Sequence, residues 1–413
     1  MPESNAPISL RFRSLASTLA AAFGSSGFFA IQGILLARLL GPEGRGAFAA
    51  IMTYPQTFLY MGLLGSADIF ARAAARLRPD DNDAAVRRAA MRYAMATGIA
   101  TAALCILLAW VALPAEKAYL APLATLAALT MPLQQIRLAV QGVDHGRGFY
   151  TRLSILRTIA AALFPAMLLV MWFGNLSSLQ ATTWTFVASC VAGLLLCQVG
   201  MRGDWFTRPQ VSVRTTLLRN RGLAFSQIAA ELLDRADLFL ILFLGSLTQQ
   251  GFYSSAIPIA GTMIIMPNAL ALFAFRRGTD PRNPLSASGV HRLLAVITAG
   301  QIVSGIVLAC LIPYAVPLLY TEAFTGTVAF AWYLLPAGAL RGMLMTTDGY
   351  LRGRGKPTPG IIGRLLAIVV LLTLTFVTLP FFGILSVPIA LGVAQFVCLS
   401  IVVVAMYREA RAS

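Results

Sequence analysis

Apolar residues along this chain come in runs of about 20, the length a helix needs to cross the ~30 Å hydrocarbon layer of a bilayer. The runs fall at 15–38, 46–70, 93–113, 118–140, 154–173, 181–200, 222–245, 250–274, 293–313, 325–346, 359–379 and 383–406. They predict an all-α integral membrane protein with twelve transmembrane helices. The polar stretches between them alternate in character. Twenty-eight of the 32 Lys and Arg gather at the two termini and in every second loop, as in Arg72, Arg76, Arg78, Arg87, Arg88 and Arg92 or in Arg352, Arg354 and Lys356. The opposite side holds only Arg38, Arg45 and Lys117, and Arg235 falls inside a run. Lys and Arg concentrate on the cytoplasmic side of short loops, so this asymmetry orients both termini toward the cytoplasm. The stretches 174–180, 245–249 and 381–383 carry no charge, which leaves the helical bundle as the working part.

Composition agrees with that segmentation. The chain of 413 residues is 58% hydrophobic and 12% charged, where soluble domains carry roughly 25% charged residues. Its formal charge of +16 belongs to the loops. The expected contact of that charge is the anionic headgroup layer rather than nucleic acid. Cys105, Cys190, Cys197, Cys310 and Cys398 lie in apolar runs without CxxC spacing, and His145 and His291 have no clustered ligands. Neither a metal nor a cofactor is expected. Arg11 and Arg13 precede an apolar run too long for a cleaved signal peptide, which reads as a first membrane anchor.

The two halves resemble each other. Gly142-x3-Gly146-Arg147-Gly148-x8-Arg157-x2-Ala160 recurs as Gly349-x3-Gly353-Arg354-Gly355-x8-Arg364-x2-Ala367, every position displaced by 207. A looser match sets Leu40-Gly41, Gly46 and Phe48 against Leu244-Gly245, Gly251 and Tyr253 at 204 to 205. Six helices per repeat is an even number, so the halves are expected as parallel six-helix lobes, 1–205 and 206–413, facing each other across a central cavity. Gly353-Arg354-Gly355-Lys356 is not a phosphate loop, because Tyr350 and Leu351 stand where GxxxxGK[ST] requires glycine and Pro357 follows the lysine. With no nucleotide motif, transport would run on an ion gradient, the membrane potential or the substrate's own gradient.

The run at 222–245 is interrupted by Ser226, Gln227, Glu231, Asp234, Arg235 and Asp237. At 100° per residue Gln227, Glu231, Asp234 and Arg235 share an arc of about 100°, with Asp237 about 60° beyond it. Ionisable side chains at membrane depth mark substrate or ion paths. Three acids against one arginine call for protonation, Na⁺ or a partner from another helix. The bland alternative is a structural Glu231–Arg235 pair at i, i+4 in a water-filled cavity. Arg38, Asp68, Asn268 and Arg341 complete the candidate substrate and ion pathway, with Gln134, Gln135, Arg137 and Asp348 as weaker members. Arg38 and Arg341 suit either bidentate binding of phosphate oxygens or snorkelling to the headgroups. Prolines 132, 165, 258, 267, 336 and 388 fall inside the expected spans, where each permits a bend.

Several motifs resemble one family. Ala37-Arg38-Leu39-Leu40-Gly41-Pro42-Glu43-Gly44-Arg45-Gly46, Asp237 followed by Leu244-Gly245, Gly251-Phe252-Tyr253-Ser254-Ser255-Ala256, and the stretch from Leu318-Leu319-Tyr320 to Phe324 carry the likeness. They are similar to oligosaccharide flippases of the multidrug/oligosaccharidyl-lipid/polysaccharide (MOP, MATE-like) exporter superfamily, over essentially the whole chain. Tyr320-Thr321-Glu322 departs from the pattern by lacking a glycine after the tyrosine. The resemblance implies a V-shaped pair of lobes in the bacterial inner membrane. It also implies flipping of an undecaprenyl-pyrophosphate-linked oligosaccharide for polysaccharide or lipopolysaccharide biosynthesis, without enzymatic chemistry. Expected partners are that lipid-linked oligosaccharide, H⁺ or Na⁺ as coupling ion, membrane lipids and polysaccharide assembly proteins. The alternative is a cation-coupled multidrug or metabolite antiporter of the same fold. A flippase for the cell-wall precursor lipid is expected to carry more than twelve helices, and a non-transporting scaffold leaves the intramembrane acids without a reason.

Overall fold

A computed structural model describes residues 8–78, 83–198, 221–279 and 285–412. Among them there is no strand. The helices are α1 (Ile8–Leu63), α2 (Ser66–Ala75), α3 (Ala84–Val111), α4 (Ala121–Ala128), α5 (Met131–Arg147), α6 (Tyr150–Phe173), α7 (Leu179–Gln198), α8 (Arg221–Leu244), α9 (Leu247–Gly261), α10 (Ile265–Thr279), α11 (Ala287–Leu319), α12 (Gly326–Gly353), α13 (Thr358–Phe382) and α14 (Ser386–Ala412). Seven helical stretches among the described residues, Thr358–Arg411 with both α13 and α14 among them, are long and apolar enough to cross a membrane. Only 11% of the most apolar part of α11 is buried inside the chain. Helices that turn such apolar faces outward, with Phe173, Val170 and Phe381 exposed, need lipid as solvent. The chain is a multi-pass membrane protein.

The chain divides into two compact units, one of Met1–Leu40 with Ala47–Ile228 and one of Gly41–Gly46 with Ala229–Ser413. The expected boundary at 205/206 lies outside the described residues, as do Arg202, Arg208, Arg214, Arg219 and Arg282 of the basic loops. In the first unit, Phe70 and Ala74 of α2 pack with Ala89, Ala90, Met91 and Ala94 of α3 and with Ile136, Val140 and Val143 of α5 in one buried cluster. Five of its twelve buried residues are alanine, which lets these helices approach closely.

Helix ends and breaks differ from the hydropathy pattern for local reasons. Gly41, at φ 66° and ψ −179°, breaks α1 between the first two expected spans. The expected span at 46–70 is cut at Leu64 and Gly65, both with positive φ, so α2 is a separate helix. The expected span 118–140 starts in a 3₁₀ turn at Ala115–Leu120 and is split at Leu129–Thr130 between α4 and α5, and a 3₁₀ turn at Thr262–Ile264 breaks the span 250–274. Conversely, α3 starts at Ala84 and α11 runs from Ala287 to Leu319, because polar residues extend a helix beyond the apolar layer without changing its backbone. Pro165, Pro258 and Pro336 lie inside helices. Pro132, Pro267 and Pro388 sit in the first turn of α5, α10 and α14, where no intrahelical N–H is needed and no kink follows.

The repeat found in the sequence has a shared geometry in the two units. A Cβ placed on Gly142 or Gly146 of α5 would stand 2.5 Å and 2.0 Å from the carbonyl oxygens of Ala67 and Ala71 in α2. On α12, Gly349 and Gly353 meet the carbonyl oxygens of Ala271 and Phe275 in α10 at 3.2 Å and 2.3 Å. Gly148 and Gly355, at φ 77° and 75°, end α5 and α12 in the left-handed conformation. Within the second unit, Gly46 approaches the carbonyl of Leu247 and Gly251 approaches that of Pro42, at 1.7 Å and 1.9 Å for the missing Cβ. Positions 42 and 247 carry the same displacement as 46 and 251, so this crossing is reciprocal.

Candidate functional site

The polar stripe of α8 is held by two neighbouring helices. Asp234 Oδ2 accepts from Arg341 Nη2 of α12 at 2.6 Å, with 25% and 38% of the two side chains exposed. Asp237 is buried. Its Oδ2 accepts from the hydroxyl of Tyr253 in α9, and its Oδ1 accepts from the backbone N–H of Leu238 at 2.9 Å. Tyr253 is itself fully buried and meets Phe330 edge to face at 5.8 Å. The angular offset between Asp234 and Asp237 therefore sends the two carboxylates to different helices. Each receives hydrogen bonds that offset part of the cost of removing a charge from water.

Glu231 and Arg235 are half-buried on the same helix, while the side chains of Ser226 and Gln227 lie outside the described ones. Asn268 is exposed on α10. Arg38 is exposed on α1, three residues before the Gly41 break. Asp68 belongs to α2, and its side chain is not among the described ones. Of the candidate residues, the structure thus brings together Asp234 with Arg341. Arg38 and Asp68 belong to the first unit, and Glu231, Asp234, Arg235, Asp237, Asn268 and Arg341 to the second.

Sequence reasoning did not mark Tyr253 as part of this site, because a tyrosine in an apolar run gives no polar signal. It also did not pair Asp348 with Arg364, although both residues stood out separately. Asp348 is fully buried on α12 and accepts from Arg364 at 2.7 Å and pairs with Arg352 at 3.3 Å. The first unit has a counterpart, with buried Asp144 on α5 bound to Arg87 at 2.7 Å and Arg152 at 3.3 Å. Gln301 of α11 donates to the carbonyl of Met263 at 2.9 Å, closing a break left by the 3₁₀ turn. Among the described residues no three His, Cys, Asp or Glu come together as metal ligands.

No family model and no curated protein matches the chain. Solved structures do. An inward-facing multidrug resistance MATE family transporter of the MOP superfamily superposes with a TM-score of 0.78 at 14% identity, covering 94% of this chain and 95% of that one. The lipid II flippase MurJ in an inward closed conformation gives 0.73 at 11% identity, covering 96% and 90%. The eukaryotic MATE transporter AtDTX14 gives 0.68 at 13% identity, covering 98% of both. At such identities the likeness concerns the backbone alone, and it shows that this chain has the MATE-like fold.

Proposed function

We propose that this protein is a secondary transporter that flips an undecaprenyl-pyrophosphate-linked oligosaccharide across the bacterial inner membrane for polysaccharide or lipopolysaccharide assembly. The observation that carries the reading is the Asp234–Arg341 pair, part-exposed at 2.6 Å, beside the buried Asp237–Tyr253 bond. A guanidinium held by one carboxylate can exchange it for a pyrophosphate oxygen of similar geometry. Asp234, once released, then needs H⁺ or Na⁺ to remain at membrane depth. That exchange couples substrate to ion and leaves the substrate chemically unchanged, so the protein is no enzyme in this reading. Arg38, Asp68, Glu231, Arg235 and Asn268 complete the proposed path. Twelve crossings in two parallel lobes, 1–205 and 206–413, with both termini cytoplasmic, would alternate access by rocking. Its partners are the lipid-linked oligosaccharide, membrane lipids and polysaccharide assembly proteins.

Deletion of the gene in its host tests the reading. Lipid-linked oligosaccharide is expected to accumulate on the cytoplasmic leaflet while surface polysaccharide is lost. The multidrug-antiporter reading is favoured by the MATE transporters among the similar structures. Heightened drug sensitivity with surface polysaccharide intact would establish that reading instead.

A further inference from the structure

Arg45 stands between the expected spans 15–38 and 46–70, in the segment Gly41–Gly46 that belongs to the second unit. An arginine between two spans is expected to reach water or headgroups. This one is only 9% exposed, because the Gly46–Gly251 crossing seats its segment against α9. Of its five N–H donors, Nη2 reaches the carbonyl of Ser254 at 3.4 Å, long for a charge-assisted bond. Its buried Nε has no hydrogen-bond partner among the described residues. Burial lowers the pKa of the group to about 10, with Tyr320 opposing the shift, so the guanidinium stays charged at neutral pH.

Among the described residues Arg45 forms no ion pair. Glu43, two residues before it, and Glu322, two residues after Tyr320, are both exposed. The acids whose side chains lie outside the described ones are joined to helix ends far from Arg45. Asp68, Asp80 and Asp81 come after the helical stretch 47–63, which alone rises about 26 Å. Asp204 follows α7, whose last turn Arg152 ties to Asp144 at the end of α5 that packs on α2 through Gly146. Asp280 follows Thr279 of α10, beside the end of α12 that lies about 40 Å from Gly326 and its neighbour Phe252 on α9. Glu3 precedes Ile8, at the far end of α1.

The face of α9 that meets this segment carries a second polar group without a partner. Leu247, Gln250, Gly251 and Ser254 share one face at i, i+3, i+4 and i+7. Pro42 and Gly46 meet it at Gly251 and Leu247, and Arg45 meets it at Ser254. Gln250, one turn before Ser254, is 1% exposed, and neither its amide nitrogen nor its amide oxygen has a partner among the described residues. A buried cation and a buried amide donor on one crossing both call for an acceptor, and leaving such a charge uncompensated is strongly destabilising.

We infer that Arg45, with Gln250, binds one small monovalent anion of the chloride class, which fastens the segment Gly41–Gly46 to α9. The single guanidinium sets the charge of the ligand, since a divalent phosphate would bring a second uncompensated charge into the same enclosed place. The enclosure sets its size. The site holds its ion whichever substrate the protein carries.

The test uses the full chain purified in detergent, melted in sodium chloride and in sodium gluconate at equal ionic strength, together with equilibrium binding of radiolabelled chloride. Wild type is expected to melt roughly 2–4 °C higher in chloride, with a saturable dependence, and to bind one chloride per chain that bromide displaces. Arg45→Met should lose both effects and melt in gluconate no lower than wild type does, because the uncompensated charge goes with the side chain. Gln250→Leu keeps the arginine and should weaken chloride binding about tenfold, the loss of roughly one hydrogen bond to a charged group. Equal melting of wild type in the two salts with no saturable chloride binding would overturn the inference. So would chloride sensitivity that appears only in Glu43→Gln, which would make Glu43 the counter-ion, and so would unchanged chloride binding by R45M. Displacement of the labelled chloride by inorganic phosphate as readily as by bromide would overturn the assignment to a monovalent ion.

Discussion

Alanine at each of the four repeat glycines tests whether these residues serve helix crossing. At Gly146 the new methyl would stand 2.0 Å from the carbonyl oxygen of Ala71. Backbone cannot yield as a flexible side chain can, so α2 and α5 must part by more than an ångström. Their retreat opens the cluster of Phe70, Ala74, Val140 and Val143. Overpacking of this kind costs about 1–3 kcal/mol, and the gain in helix propensity from Gly to Ala returns at most about 1 kcal/mol. Gly146→Ala should therefore be clearly destabilising. At Gly349 the nearest atom is 3.2 Å away, a displacement of tenths of an ångström, and the propensity gain decides the sign. Gly349→Ala should be neutral or stabilising. Gly353→Ala and Gly142→Ala, at 2.3 Å and 2.5 Å, should fall between in that order. Thermal unfolding of the purified variants in one detergent gives the ranking. Gly349→Ala as the most damaging of the four, or Gly146→Ala melting with wild type, would refute the crossing as the reason for the repeat.

Asp234→Asn and Arg341→Gln should each abolish transport, and the swap Asp234→Arg with Arg341→Asp should recover expression without recovering transport. A fully active swap would show that the pair only fastens α8 to α12. Tyr253→Phe keeps the ring packing but removes the donor to Asp237, at a cost of about 1–3 kcal/mol. A double-mutant cycle with Asp237→Asn should show that the two changes are not additive, and strict additivity in unfolding would contradict the bond. Arg87→Gln leaves buried Asp144 with only its weaker arginine contact and should cost about 3–5 kcal/mol. Arg72→Gln, at an exposed position, should stay within about 0.5 kcal/mol; equal losses for the two in the same unfolding assay would contradict this division.

The membrane class and the positions of the helices were legible because a bilayer imposes one length on every crossing. Their ends were not. The charged starts of α3 and α11 remain helical outside their apolar runs, where hydropathy no longer reports secondary structure. The break at Leu64–Gly65 was invisible because an apolar residue with positive φ leaves no trace in periodicity. The repeat glycines were conspicuous, yet their reason lies on Ala67, Ala71, Ala271 and Phe275, which carry no signal of their own. In the candidate site, Asp234, Asp237 and Arg341 stood out as charges among apolar residues. The contacts that give them geometry depend on how α8, α9 and α12 pack, which no single helix specifies.

The arginines on which the expected orientation rests do unequal physical work. Arg72 and Arg76 are exposed at the end of α2 and contribute charge at little structural cost. Arg87 and Arg364 are nearly as buried as the aspartates they bind. In both aspartates a single oxygen meets both guanidiniums, Oδ1 of Asp144 and Oδ2 of Asp348, while the other oxygen has no hydrogen-bond partner among the described residues. Two arginines thus converge on each aspartate, Arg87 being shared with Asp83, and their guanidiniums are fixed at the end of a helix. Arg87 and Arg364, being nearly buried, are screened less than a loop charge is. Part of the charge on which the expected orientation rests is thus built into the packing of each unit, at the ends of α5 and α12 that carry the Gly-Arg-Gly turn. If the chain takes the orientation its charge pattern predicts, reversing it would require dragging these fixed guanidiniums through the bilayer with the helices that hold them, so packing would reinforce what the loop charges favour.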